Sequence, residues 1–161
     1  LENIRWGNGD ADMDEVRAAA QAAQADGFIQ GFQEGYDTQL GHSGVNLSGG
    51  QRQRIAIARA LIKKPKILIL DDCLSAVDAL TEASIREALA EEAHQRGLLI
   101  ISQKISSILD CDRIVVLDDG VCDGVGTHEQ LLESSQVYRD IFASQYGREA
   151  LAQALCGKEA L

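Results

Sequence analysis

The run Lys66-Ile67-Leu68-Ile69-Leu70 constrains the fold of this chain more than any other segment. It is too short for a helix and too uniformly apolar for a strand with one face in water, so it reads as a buried parallel strand. A helical stretch over residues 81–94 follows, and residues 98–101 form a second apolar run. Strand, helix, strand in that order is a crossover unit, which places the chain in the α/β class.

The flanking segments fill in the organisation. Residues 12–25 predict a helix, with Asp14 and Glu15 in its first turn and an alanine-rich body. Five glycines interrupt residues 27–46, which read as loop with short helical pieces. Ser48 followed three residues later by Gln51 is a capping-box pattern, and Ile55, Ala58, Leu61 and Ile62 give the helix it opens an apolar stripe that Pro65 ends. Arg52, Arg59 and Lys63 fall largely off that stripe, and Arg52, Arg54 and Arg59 read as solvated or ion-paired. Residues 113–117 and 121–125, joined through Asp118-Asp119-Gly120, predict a hairpin. Thr127 with Gln130 is a second capping box, residues 137–145 continue as helix, and the last fifteen residues suit either a frayed helix or a tail. The domain reading is residues 1–63 as a helical unit, 64–146 as part of a sheet core and 147–161 as tail.

A chain of 161 residues with 45% apolar residues can bury a sizeable core. The excess of 25 acidic over 15 basic residues has the wrong sign for tracking a phosphate backbone, so nucleic acid is not expected as a partner. Cys73, Cys111, Cys122 and Cys156 form no C-x-x-C pair and are read as reduced, mostly buried thiols. No apolar run approaches the roughly 20 residues of a membrane-spanning helix. The chain starts at Leu1 and its one methionine is Met13, so a longer parent protein is expected.

Chemistry concentrates at two places. At Ser48-Gly49-Gly50 a helix start offers unpaired backbone N–H groups, a hydroxyl and the positive end of a helix dipole, which together make an anion site. A bare Ser-Gly-Gly is more often an ordinary capped turn. Asp71 and Asp72 stand at the carboxyl end of the first strand, where open α/β sheets place ligand chemistry, and suit a magnesium ligand beside a water-orienting group. A solvated Asp-Asp turn is the plainer alternative.

Taken together, Leu47 through Leu61 (LSGGQRQRIAIARAL), Ile67 through Asp71 (ILILD) and Leu74-Ser75-Ala76-Val77-Asp78 resemble an ABC ATPase. Asp112 to Gly120, Gly126-Thr127-His128-Glu129-Gln130-Leu131 and Glu2-Asn3-Ile4-Arg5-Trp6-Gly7 are similar to its exporter subgroup in particular. The resemblance implies a P-loop NTPase (RecA-like) fold, present here in part as a helical subdomain plus the C-terminal half of the parallel-sheet core. It also implies ATP and Mg2+ as ligands. Ser48, Gly49, Gly50 and Gln51 are then the signature that binds ATP, Asp71 the Walker B magnesium ligand, Asp72 the catalytic position, and Ser75 and Asp78 part of the D-loop. The switch position falls on Gln103. In that family each ATP lies between the Walker motifs of one domain and the signature of another, on the cytoplasmic face of the membrane.

The chain departs from the family in three respects. No G-x-x-x-x-G-K-[ST] phosphate loop occurs in the 161 residues, so the isolated chain is expected to be inactive. Asp72 stands where competent members have glutamate, and its carboxylate reaches about 1.5 Å less far. Gln103 stands where they have histidine, and a glutamine amide carries no charge near neutral pH. His42 replaces a glutamate frequent in exporters, whereas His94 and His128 read as helix-surface and cap-region residues.

The expectation is therefore the nucleotide-binding domain of an exporter with an altered site of its own, paired with a second, different ATPase domain and with transmembrane domains. Two alternatives stand beside it. One is a non-transport ABC ATPase of the DNA-maintenance or translation type, which usually splits the domain with arms or zinc modules that the short interval from Ser48 to Asp71 has no room for. The other is a non-enzymatic fragment that only binds a partner.

Overall fold

The computed structural model describes residues 1–41, 44–93 and 96–156, with side chains described outside residues 91–93. The expectations for His42, His94 and residues 157–161 lie outside the described residues. The backbone divides into two units, Leu1–Ile101 and the chain from Ser102 onward.

The first unit begins with a short helix α1 (Glu2–Arg5), then α2 (Met13–Ala22) and α3 (Asp26–Gln30). Asp12 caps α2: its carboxylate accepts from the Glu15 N–H at 2.8 Å, and the Glu15 side chain accepts from the Asp12 N–H at 3.2 Å. The glycine-rich stretch after α3 contains the 3-10 turn Gly35–Asp37, as its composition predicts. Helix α4 (Gly49–Leu61) starts at Ser48 with the expected capping box and buries Ile55, Ile57, Ala58 and Leu61. Lys64 takes a positive φ of 48° at its end, just before Pro65.

Strand β1 (Ile67–Asp71), helix α5 (Ala79–Ala93) and strand β2 (Gly97–Ile101) form the crossover unit, with β1 and β2 parallel and Asp71 opposite Ile101. Leu68 and Leu70 join one packed core with Ile57 and Leu61 of α4 and with Ile85 and Leu89 of α5. The expectation of full burial fails on the other face, where Ile67 and Ile69 are 68% and 59% exposed. The sequence pattern is that of a strand covered on both sides. Among the described residues only one side is covered.

Of the arginines on α4 expected to be solvated or ion-paired, Arg52 is exposed as expected and Arg54 and Arg59 are half-buried, and all three also bond oxygen acceptors of the first unit. Arg52 donates to the Leu47 carbonyl at 3.1 Å, Arg54 to the Gln24 carbonyl at 2.8 Å, and Arg59 to the Asn3 carbonyl and side-chain oxygen at 2.8 Å each. Arg54 also lies over the Phe28 ring and Arg59 over the Trp6 ring. Planar guanidinium groups with several donors bridge α4 to the loop carbonyls of Gln24 and Leu47 and to the Asn3 carbonyl of α1. They staple the helical layer to α4 through hydrogen bonds to oxygen acceptors that carry no charge.

In the second unit a 3-10 turn, Ile105–Ser107, leads to the hairpin β3 (Ile114–Asp118) and β4 (Val121–Gly126). Asp119 and Gly120 adopt φ of 44° and 78°, the positive pair a two-residue hairpin turn requires. Helix α6 (His128–Ser134) carries the Thr127–Gln130 capping box, and α7 (Gln136–Tyr146) starts at Ser135, whose hydroxyl accepts from the Tyr138 N–H at 2.9 Å. Ile105, Ile114, Val116, Leu131, Leu132, Tyr138 and Phe142 make the core of this unit. Gly147 breaks the chain, and α8 (Arg148–Cys156) realises the helical alternative for the C-terminal stretch. His128 sits at the start of α6, as expected, and its Nδ1 lies 2.8 Å from the Tyr138 hydroxyl.

All four cysteines are free, and the expectation of mostly buried thiols is not met: Cys73 and Cys111 are half-buried, Cys122 and Cys156 exposed. Cys122 lies on the solvent side of β4 and Cys156 ends a helix with no buried residue, so neither position has core to enter. Among the described residues no helix is long and apolar enough to cross a membrane.

Glu15 also accepts from the Lys64 ammonium at 2.6 Å, tying α2 to the end of α4. That hydrogen bond, the Asp12 N–H and the charge of Lys64 hold the Glu15 carboxyl below its ordinary value. A depressed carboxylate contributes stability above its unfolded pKa of about 4.3, and the contribution disappears as pH falls through the lowered folded value. Glu15→Gln is therefore expected to lower stability at pH 7 and to narrow its difference from the native chain as the pH drops below about 4. Denaturant unfolding across pH 3 to 7 checks this, and a pH-independent difference would contradict it.

Candidate functional site

The first turn of α4 and the loop after β1 come together in the first unit. Ser48 is extended, with ψ of 164°, and its hydroxyl accepts from the Gln51 N–H at 3.2 Å, while the Gln51 side chain accepts from the Ser48 N–H at 2.9 Å. Both polar side chains of the signature are thus occupied in capping. The amides of Gly49 and Gly50, at the first two helical positions, have no acceptor within the helix. An anion at this helix start would meet those two N–H groups and the positive end of the dipole. The arrangement fits a phosphate oxygen.

Gly50 has a second reason to be glycine. A Cβ built there would stand 2.7 Å from the Ala76 carbonyl oxygen, whereas one on Gly49 would meet only the Ala76 Cβ at 3.5 Å. The helix start therefore rests directly on the loop that follows β1.

That loop is held in three ways. Leu74 and Val77 are buried in the core and act as anchors, leaving Ser75 and Ala76 exposed between them. Asp72 has a positive φ of 45°, and its N–H donates to the Ile101 carbonyl at 2.9 Å, extending the β1–β2 ladder by one bond. An aspartate tolerates this left-handed conformation better than most side chains do. Its own carbonyl accepts from the Ser75 hydroxyl at 2.9 Å.

The third restraint comes from α4 through a residue that sequence reasoning passed over. The Gln53 side-chain oxygen accepts from the Ala76 N–H at 3.0 Å, and its amide nitrogen donates to the Ser75 hydroxyl at 3.2 Å and lies 3.5 Å from the Asp72 carbonyl. Gln53 sits two residues beyond the signature, in a stretch that reads as charged helix surface. Its only sequence signal was a glutamine among arginines.

Asp71 and Asp72 are exposed at the end of β1. Among the described residues no group of three or more histidine, cysteine or acidic side chains could hold a metal ion. This donor set does not make an all-protein cage. It fits Mg2+, which commonly takes one or two carboxylates and completes its shell with phosphate oxygens and water. Asp78 is exposed and caps α5, its carboxylate accepting from the Thr81 N–H at 3.0 Å, and that backbone donor pulls its pKa below the ordinary carboxylate range. Cys73, beside the two aspartates, is no activated nucleophile, since burial pushes its thiol pKa up.

Gln103 belongs to the second unit and is exposed. Its backbone carbonyl accepts from the Gln145 side chain at 2.7 Å, and the Ile105 N–H donates to the same amide at 2.9 Å. Gln145 of α7 was likewise invisible in the sequence, because a helix-surface glutamine has no pattern that marks its long-range partner.

The close approach at Gly50 makes a measurable distinction. Gly50→Ala must displace the Ala76 backbone, an overpacking cost of about 1–3 kcal/mol. Gly49→Ala makes only ordinary contact, and the better helix propensity of alanine offsets up to about 1 kcal/mol. Thermal unfolding of the two variants is expected to show a clear loss for Gly50→Ala and little change for Gly49→Ala; equal effects would contradict the packing described.

Comparison with known proteins agrees with this geometry. The model of the ABC transporter family matches residues 2–75. An uncharacterized ABC transporter ATP-binding protein of Bacillus subtilis, YfiB, is 51% identical over 92% of this chain and 26% of its own length. The mitochondrial potassium channel ATP-binding subunit of Xenopus tropicalis is 48% identical over 95% of this chain and 22% of its own length. The structure of a bacterial Atm1-family ABC exporter with ATP bound superimposes with a TM-score of 0.87 at 41% identity, covering 90% of this chain and 26% of that one. The chain thus spans about a quarter of the length of the relatives it matches. With the motif order, the family match and the shared fold in agreement, the chain belongs to the ABC transporter family of ATP-binding proteins, as the C-terminal part of an exporter-type nucleotide-binding domain.

Proposed function

We propose that this chain works in an ABC exporter as one half of a head-to-tail ATP sandwich, in which its signature completes the ATP site of a second ATPase domain while its own site is weakly hydrolytic. The observation that carries the reading is a contrast within one chain. The capped turn at Ser48, Gly49, Gly50 and Gln51 is built to receive a phosphate. Asp72 and Gln103 occupy the two positions where competent family members place glutamate and histidine.

In this reading bound ATP supplies the phosphoryl group whose transfer to water drives transport. The Gly49 and Gly50 amides, with Ser48 and Gln51, hold and orient the phosphates of the partner's ATP. Asp71 ligates Mg2+ at the chain's own site, and Asp72 orients water there from a shorter reach. Moving a water-positioning group by about 1 Å costs on the order of a hundredfold in rate. Gln103 can donate a hydrogen bond to a phosphate and cannot supply the charge of a protonated histidine. Ser75 and Asp78 belong to the loop that lies at the junction of the two sites. Two different ATPase domains, each joined to transmembrane domains, would make such a pair a heterodimer on the cytoplasmic face of the membrane. The bare apolar face at Ile67 and Ile69 suits the remaining half of the nucleotide-binding core as its cover.

The short connection from α4, which ends at Leu61, to β1, which begins at Ile67, favours an exporter over family members that carry long arms between these elements.

In the intact pair, Ser48→Arg is expected to abolish most ATP turnover, because a bulky cation fills the partner's phosphate site. Asp72→Asn is expected to reduce it little. Equal losses in a steady-state ATPase assay would sink the asymmetric reading. With the catalytic glutamate of the partner disabled, Asp72→Glu combined with Gln103→His is expected to raise the residual hydrolysis; an unchanged rate would show that other residues limit this chain's own site.

A further inference from the structure

Two parts of the proposed machinery are joined by a single side chain. The first turn of α4 carries the residues assigned to the partner's ATP, and the loop from Asp72 to Ala76 carries those assigned to the chain's own. Gln53 is one turn into α4 and half-buried against that loop. A primary amide has two ends, and both are used. Its oxygen can only accept and faces the Ala76 N–H at 3.0 Å, a main-chain donor that cannot change role. This fixes the amide's orientation and directs its nitrogen to the Ser75 hydroxyl at 3.2 Å, with the Asp72 carbonyl at 3.5 Å. The Ser75 hydroxyl donates in turn to the Asp72 carbonyl at 2.9 Å.

The result is a closed hydrogen-bonded group that runs from α4 through Gln53 to the Asp72 carbonyl, the Ser75 hydroxyl and the Ala76 N–H. Gly50 brings the same helix into direct contact with the Ala76 carbonyl, so the hydrogen bonds and the packing act on the same segment. Ser75 and Ala76 are exposed, and between the anchors Leu74 and Val77 the Ser75 hydroxyl and the Ala76 N–H are held from α4 by the Gln53 amide.

We propose that Gln53 is a positioning residue that locks the Asp72–Ala76 loop to the signature helix, so that seating of ATP against Ser48–Gln51 and alignment of Asp72 and Ser75 occur together. The proposal rests on the ATP-sandwich reading and extends it. Gln53 touches no phosphate itself. It transmits a displacement of α4 to the loop that carries the chain's own catalytic position, and the reverse.

The test uses the intact transporter pair with the catalytic glutamate of the partner disabled, so that residual turnover reports this chain's own site, and measures kcat and KM for ATP per folded molecule, with Ser48→Arg in the otherwise native pair as a reference. Gln53→Met keeps the length of the side chain and removes both hydrogen bonds. It is expected to lower kcat between about ten- and a hundredfold, with KM for ATP little changed. Gln53→Glu keeps an acceptor for the Ala76 N–H and removes the donor, and is expected to fall between Gln53→Met and the native protein. This ordering separates positioning from a structural role, which would lower yield or melting temperature and leave kcat per folded pair intact. Native kcat in both variants, or a raised KM at unchanged kcat, while Ser48→Arg abolishes turnover, overturns the role of Gln53 alone. Full turnover in Ser48→Arg overturns the sandwich reading, and the inference with it. If Gln53→Met does not fold, Gln53→Glu decides the matter by the same criterion.

Discussion

The close approach of Gly50 to the Ala76 carbonyl is the constraint on which the candidate site depends. A Cβ on Gly50 would stand 2.7 Å from that oxygen, so there is no room for a side chain, and the absence of one lets the positive end of α4 rest on the loop after β1. Glycine costs helix stability, and the capping box of Ser48 and Gln51 offsets part of that cost at the same turn. The signature is thus both an anion site and a packing joint. A reading of its glycines as phosphate contacts alone would miss half of their physical role.

Around that joint the first unit is assembled with uncharged acceptors. The arginines of α4 reach the Leu47, Gln24 and Asn3 carbonyls, so two loop segments and the helix α1 are fixed to α4 through their backbones. Exposed ion pairs contribute little and weaken with salt, whereas a guanidinium satisfying a loop carbonyl removes a polar group that would otherwise lack a partner. Gln53 and Gln145 follow the same logic in the two units. Each uses both ends of one amide to hold a loop that bears a candidate catalytic residue.

Local patterns were legible wherever a few neighbouring residues decide the outcome. All three capping boxes form, at Asp12, Ser48 and Thr127, although only the last two had been read from spacing. The Asp119-Gly120 turn and the parallel pairing of the apolar runs also follow from short-range rules. Burial was less legible. Cys122 and the outer residues of β1 look like core by composition, and their exposure depends on what lies over them.

By itself, then, the sequence determined the order of the strand, helix, strand unit, the starts of α4 and α6, the hairpin and the set of motifs that mark an ABC ATPase, because propensity, capping and turn chemistry act over three to five residues. Tertiary structure alone decided which glycine must stay bare, which carbonyls the arginines satisfy and which glutamine clamps the loop after β1. Gln53 is 22 positions from Ser75 and 23 from Ala76. No periodicity encodes such a contact, since it arises only when the packing of α4 against the strand layer brings the helix face and the loop to hydrogen-bonding distance.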